Sequence, residues 1–94
     1  MDHLDALIEM LARDVVPALD ESAKALIGSA RDSGDDWMVV DDILQFSLRQ
    51  GVRIAPELLD AADDIVGRAW DPGLKDRTHT WITRHREKTP SVAA

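Results

Sequence analysis

The sequence predicts an all-α fold, a compact four-helix bundle-like domain with a long first helix kinked at a proline. Three observations predict it. Large apolar residues recur at steps of three and four along most of the chain, the spacing of one helix face. The gaps between these stretches carry helix punctuation, with Asp or Pro at the starts and Gly at an end. No segment alternates apolar and polar residues for long enough to make a strand.

The first stripe runs through Leu4, Ile8, Leu11, Val15, Leu19, Ala23, Leu26 and Ala30. Pro17 falls inside it, where a proline costs about 3 kcal/mol by clashing with the preceding turn. Because the stripe keeps its phase across Pro17, one helix from about Asp2 to Arg31, kinked near Val16, is expected. Two abutting helices are the alternative. Asp32-Ser33-Gly34-Asp35 reads as a turn that also caps the next helix.

That second helix is expected over Asp36 to Gln50, stopped by Gly51 at the position where a left-handed residue is favoured. Trp37, Val39, Val40, Ile43, Leu44, Phe46 and Leu48 cover more than half of its circumference, which marks it as the central helix. Pro56 opens a third helix reaching Trp70, with Ile54 and Leu59 spaced as a hydrophobic staple. Its core face is Leu58, Leu59, Ala62, Ile65, Val66 and Ala69. After the turn at Asp71-Pro72-Gly73, a last helix is expected over Leu74 to Lys88, ending before Pro90. Residues 1–90 thus form a single domain, and a disordered tail is expected over 91–94.

The chain has 94 residues, enough for one modest core. It has no Cys, which removes disulfides and thiolate chemistry. Its first residues lack the basic start of a secretory signal, and no stretch approaches the ~20 apolar residues of a membrane span. A cytoplasmic location, with no membrane partner, is expected. The bias to Asp and Arg, with no Asn or Tyr, is typical of GC-rich bacterial genomes.

Charge is the most informative property. The 18 acids outweigh the 11 bases for a net of -7. Residues 1–71 hold 16 acids and 6 bases, and residues 72–94 hold 2 acids and 5 bases, so an acidic body at -10 precedes a basic final helix at +3. In that helix Arg77, Arg84 and Lys88 border the apolar seam of Leu74, Trp81 and Ile82 on one side, with Lys75, His79 and Arg86 on the other. Bases so placed reach across to acids on neighbouring helices. A net charge of -7 repels phosphate, so nucleic acid is not an expected partner.

Two groups of residues are candidate partner-binding sites. Glu57, Asp60, Asp63 and Asp64 form an acidic ridge opposite the core face of the third helix. Met38, Asp41 and Asp42 lie on the narrow polar strip of the second, where a thioether suits an adaptable contact. An exposed edge of Trp37 or Trp70 is a candidate interface anchor.

Catalytic and metal motifs are missing from the sequence. The loop Asp32-Ser33-Gly34-Asp35-Asp36 starts like a calcium loop, but Trp37 and Ile43 stand where that motif needs Gly and Glu. His79 and His85 are about 240° apart on a helix and cannot share a metal, and His85 reads as a packed histidine beside Trp81. No serine lies in a nucleophile-elbow context, and the adjacent pairs Asp41-Asp42 and Asp63-Asp64 point about 100° apart. No metal, cofactor or catalytic residue is therefore expected, and the chain is read as a non-enzyme.

The functional expectation is a small acidic protein-interaction module that binds a basic protein surface, most concretely as an inhibitor of the immunity or antitoxin type. The alternative is a self-associating, homodimeric scaffold or accessory subunit. Nucleic-acid binding through the last helix ranks below both.

Overall fold

The computed structural model describes residues 3–88. Within them the chain is all-helical, with five α-helices and no strand. These are α1 (His3–Asp14), α2 (Glu21–Asp32), α3 (Asp36–Arg49), α4 (Pro56–Arg68) and α5 (Lys75–Lys88). The tail expected over 91–94 lies outside the described residues.

The long first helix does not form. After Asp14 the backbone tightens into a short 3-10 turn over Val16–Ala18, then extends at Leu19. Two causes act together. Pro17 has no N–H to give to a helical ladder, and it sits at the start of the 3-10 turn where none is required. Three residues on, Asp20 takes an extended conformation, and its side chain accepts a hydrogen bond from the Ala23 N–H at 2.9 Å. It thus caps a new helix where the sequence reading carried the old one through. Most of the stripe stays inward, with Ile8, Leu11, Val15, Leu19, Ala23 and Ala30 buried, but Leu26 is 54% exposed and Ile27 takes its place in the core. Replacing Asp20 with Ala is expected to cost about 1 kcal/mol, read as a lower urea midpoint at unchanged m-value. An unchanged midpoint would show that Pro17 alone sets the break.

The other helices match the expected spans closely. α2 and α3 each end on a glycine in the left-handed region, Gly34 at φ 74° and Gly51 at φ 71°. At each end the two amides that follow close a paired motif. Asp35 N–H reaches Ala30 O and Gly34 N–H reaches Arg31 O, while Val52 reaches Ser47 and Gly51 reaches Leu48. These are Schellman closures, which satisfy carbonyls that the helix end leaves open.

Helices consecutive in the chain alternate in direction from α2 to α5. Gln50 Oε1 accepts from the Asp20 N–H at 2.9 Å, so α2 starts beside the end of α3 and the two are antiparallel. α3 and α5 are parallel, since Asp41 meets Arg77, Leu44 meets His85 and Leu48 meets Lys88. α4 runs back against α5, with Asp60 beside Arg86 and Trp70 beside Thr78. α1 packs on α3 and α4. α3 is accordingly the central helix, with Val39, Val40, Ile43 and Leu44 fully buried.

Candidate interaction surface

The polar strip of α3 turns out to be the seat of α5. Asp41 is 0% exposed. Its Oδ1 accepts from the Thr78 hydroxyl at 2.7 Å, and its Oδ2 accepts from Arg77 Nε at 3.0 Å and from Arg77 Nη2 as well. Thr78 in turn accepts from the Trp70 indole N–H at 3.1 Å. The chain Trp70–Thr78–Asp41–Arg77 therefore ties the α4–α5 turn to α3, with each buried polar atom given a partner. Asp41 is consumed by this network and offers no surface for a partner.

Its companions are half-buried at the network's edge. Met38 Sδ lies 3.7 Å from Arg77 Nη2. Burial foremost, then the charge of Asp41, holds the Asp42 carboxyl above its ordinary pKa, with Asp35 adding to the effect and Arg77 opposing it. An ionised Asp42 is thus held at some cost in the free protein, and a cation brought to it would relieve that cost.

The acidic ridge of α4 is exposed but not free. Arg86 donates to Asp63 Oδ2 at 2.9 Å and to Asp60 Oδ1 at 2.7 Å, and Arg68 pairs with Asp64 at 3.0 Å. His79 stands 3.8 Å from Asp63. Glu57 has no ion-pair partner among the described residues. Such exposed pairs hold by about 0–1 kcal/mol each, so an incoming base displaces them at small cost.

An exposed apolar feature lies elsewhere, where the start of α1, the start of α3 and the end of α4 meet. Trp37 is 40% exposed there, and its ring tilts at 52° against the buried Trp70 with centroids 6.4 Å apart. Beside it a cavity of about 310 Å³ is lined by His3, Leu4, Trp37, Asp64, Ile65, Arg68 and Ala69. On the other side of Leu4 and Trp37 lies a second hollow walled by Ser33, Gly34, Asp35 and Asp36. Asp32, Asp35 and Asp36 have no ion-pair partner among the described residues. The other exposed large apolar side chain, Leu26 at 54%, stands apart on α2.

One pair imitates catalytic geometry. Ser47 Oγ lies 3.1 Å from His85 Nε2, in a small cavity with Gly51, Val52, Arg53 and Lys88. The protons point the wrong way for catalysis by this pair. His85 Nε2 lies 2.8 Å from Leu44 O, a partner that can only accept, so Nε2 carries the hydrogen and cannot take one from Ser47. Ser47 gives its own proton to Ile43 O at 2.6 Å. The pair locks α5 to α3.

Burial, with a smaller push from Lys88, holds the His85 imidazole below its ordinary value of 6.5, against the favourable bond to Leu44. The unfolded chain takes up this proton at a higher pH than the folded one. Stability from this source is therefore complete above about pH 6.5 and is lost as pH falls through that value toward the lower folded pKa. The urea midpoint is expected to drop between pH 7 and pH 5.5, with a flatter profile for His85→Gln. Equal slopes for both proteins would acquit His85.

The sequence reading singled out Trp37 and His85 but missed Thr78 and Ser47. Thr78 had a positional signal, standing between Leu74 and Ile82 on the packed seam. Among the described residues, no group of three or more His, Asp or Glu could hold a metal ion, and no helix is long and apolar enough to cross a membrane. Comparison with protein-family models, curated proteins and solved structures finds no match.

Proposed function

We propose that this chain is a small acidic protein-interaction module whose partner presents a basic surface, most concretely an inhibitor of the immunity or antitoxin type. The observation that carries this reading is the way the bases are spent. Arg77 of the basic helix turns inward onto Asp41 and Arg86 pairs with Asp60 and Asp63 at the surface, while Arg13, Lys24, Arg31 and Arg68 pair with acids near them; Lys75, Arg84 and Lys88 have no acid partner among the described residues. Among the described residues, Asp32, Asp35, Asp36, Asp42 and Glu57 are acids with no ion-pair partner. A field of that sign speeds encounter with a basic partner and selects against acidic ones.

The test is capture of the partner at low salt, followed by association kinetics with the purified partner. Reversal of Asp60, Asp63 and Asp64 to Lys is expected to slow association and flatten its salt dependence. Affinity unchanged by the triple reversal would remove the ridge from the interface. The self-associating scaffold is the second reading, favoured by the partly exposed Trp37, and sedimentation at several concentrations separates the two.

A further inference from the structure

We propose that the groove between the ends of α3 and α5 is the docking site for a short acidic segment of a partner protein, which lays one aliphatic side chain against Leu48 and Trp81. This contact is independent of the acidic ridge on α4, since it uses the bases that the fold leaves over. Because α3 and α5 are parallel, Arg49, Arg84 and Lys88 come to the same end of the molecule. There they rim a groove of about 590 Å³, whose floor is the nearly buried Leu48 and the half-buried ring of Trp81. Arg49 and Arg84 are exposed and meet no acid among the described residues. Lys88 gives one hydrogen to Leu48 O at 3.3 Å and keeps two to offer. A smaller cavity shares Leu48 and Lys88 with the groove and adds Arg53, which also has no acid partner among the described residues. Among those residues Glu87 is the one acid on either rim.

Helix electrostatics explains only part of this row. A base in a last turn complements the negative end of its helix, which accounts for Arg49 and Lys88. Arg84 stands before the last turn of α5 and Arg53 lies outside any helix, so neither is placed by that effect. Trp and Arg are also the side chains that most often anchor interfaces.

The edges of the row decide the occupant. Asp42 lies two turns back from Arg49 along α3, and Asp20 sits against Gln50 at the far edge. A nucleic-acid strand repeats its phosphates along its length and would carry them past the bases onto these acids. A short peptide with acids on both sides of one aliphatic residue sets its charges on the bases and its apolar group on the floor. A second copy of this chain does not offer such a segment at either exposed large apolar side chain. Leu26 has no acid within four residues, and Trp37 has exposed acids only on its N-terminal side.

The experiment uses the full chain, labelled with ¹⁵N, at about 0.15 M salt, where charges beyond about 8 Å are screened and the net repulsion is muted. The probe is a capped pentapeptide of one leucine between two pairs of aspartates. One control replaces the leucine with alanine, and a second is a thymidine pentanucleotide. The leucine peptide is expected to shift the Trp81 indole and the Leu48 and Arg84 amide signals, and to bind roughly fivefold more tightly than the alanine peptide. Arg49→Glu combined with Arg84→Glu should abolish those shifts at unchanged helical circular dichroism, and Arg49→Gln with Arg84→Gln should weaken them. Reversal of Asp60, Asp63 and Asp64 to Lys should leave them in place. Equal binding of both peptides, or no shift with either, would overturn the groove as the docking site and leave the basic-partner reading standing. Tighter binding of the pentanucleotide at the same signals would make nucleic acid the occupant and overturn the acidic segment. Shifts at Trp81 that grow with protein concentration alone would make a second copy the occupant, with the same consequence.

Discussion

Arg77→Ala is expected to lower the stability of the protein by a large fraction of its total. The substitution strips the Asp41 carboxylate, fully buried beneath α5, of both guanidinium contacts and leaves it only the Thr78 hydroxyl. Removing one partner of a fully buried ion pair costs about 3–5 kcal/mol because the other charge remains out of water, and since Arg77 is 45% exposed the loss falls toward the lower end of that range. Domains of this size are held by only about 5–15 kcal/mol in all. Arg77→Lys keeps the charge but loses the fork that spans two donors, so its loss should be smaller. The decisive comparison is a double change. Adding Asp41→Asn to Arg77→Ala removes the stranded charge while keeping an acceptor for Thr78, and it should recover part of the loss in urea unfolding. If Arg77→Ala alone unfolds within about 0.5 kcal/mol of the parent, the buried carboxylate is not held as described.

Trp70→Ala is the second large effect, at about 3–5 kcal/mol. Trp70 is buried, supports the Trp37 ring and gives its indole hydrogen to Thr78. Its removal opens a cavity between α4 and α5 and releases Trp37 at the same time. Trp70→Phe separates the two contributions. It keeps most of the volume and loses only the N–H, and Thr78 still donates to Asp41, so a cost near 1 kcal/mol is expected. A Trp70→Phe loss as large as that of Trp70→Ala would place the energy in the hydrogen bond rather than in packing.

The helical class, the ends of α3 and the reach of Arg77 and Arg86 were legible because each depends on local rules, whereas Lys75, Arg84 and Lys88 meet no acid among the described residues. Gly51 stops α3 by its own backbone freedom, and the two borders of the α5 seam follow from 100° per residue. Arg77 and Arg86 reach α3 and α4 from opposite borders, as helical geometry requires. What stayed hidden depends on which face meets which neighbour. Asp41 reads as a surface acid on α3 alone, and only the parallel docking of α5 buries it. The break after Asp14 stood only as the alternative of two abutting helices, for another reason. Periodicity reports which side of the backbone is buried, and that side stays the same whether the backbone continues or turns.

The short turn over Val16–Ala18 has a consequence for how many chains the fold needs. Were those residues to join α1 and α2 in one straight rod, α1 would project about 18 Å beyond its present neighbours. Leu7, Ile8 and Leu11, now almost wholly covered by α3 and α4, would then lie in water. The only surface shaped to cover them would be the same α3–α4 face on another molecule, the arrangement of domain exchange. Pro17 and Asp20, by stopping one helix and starting the next, let the arm fold back on its own body and keep the protein's core within a single chain.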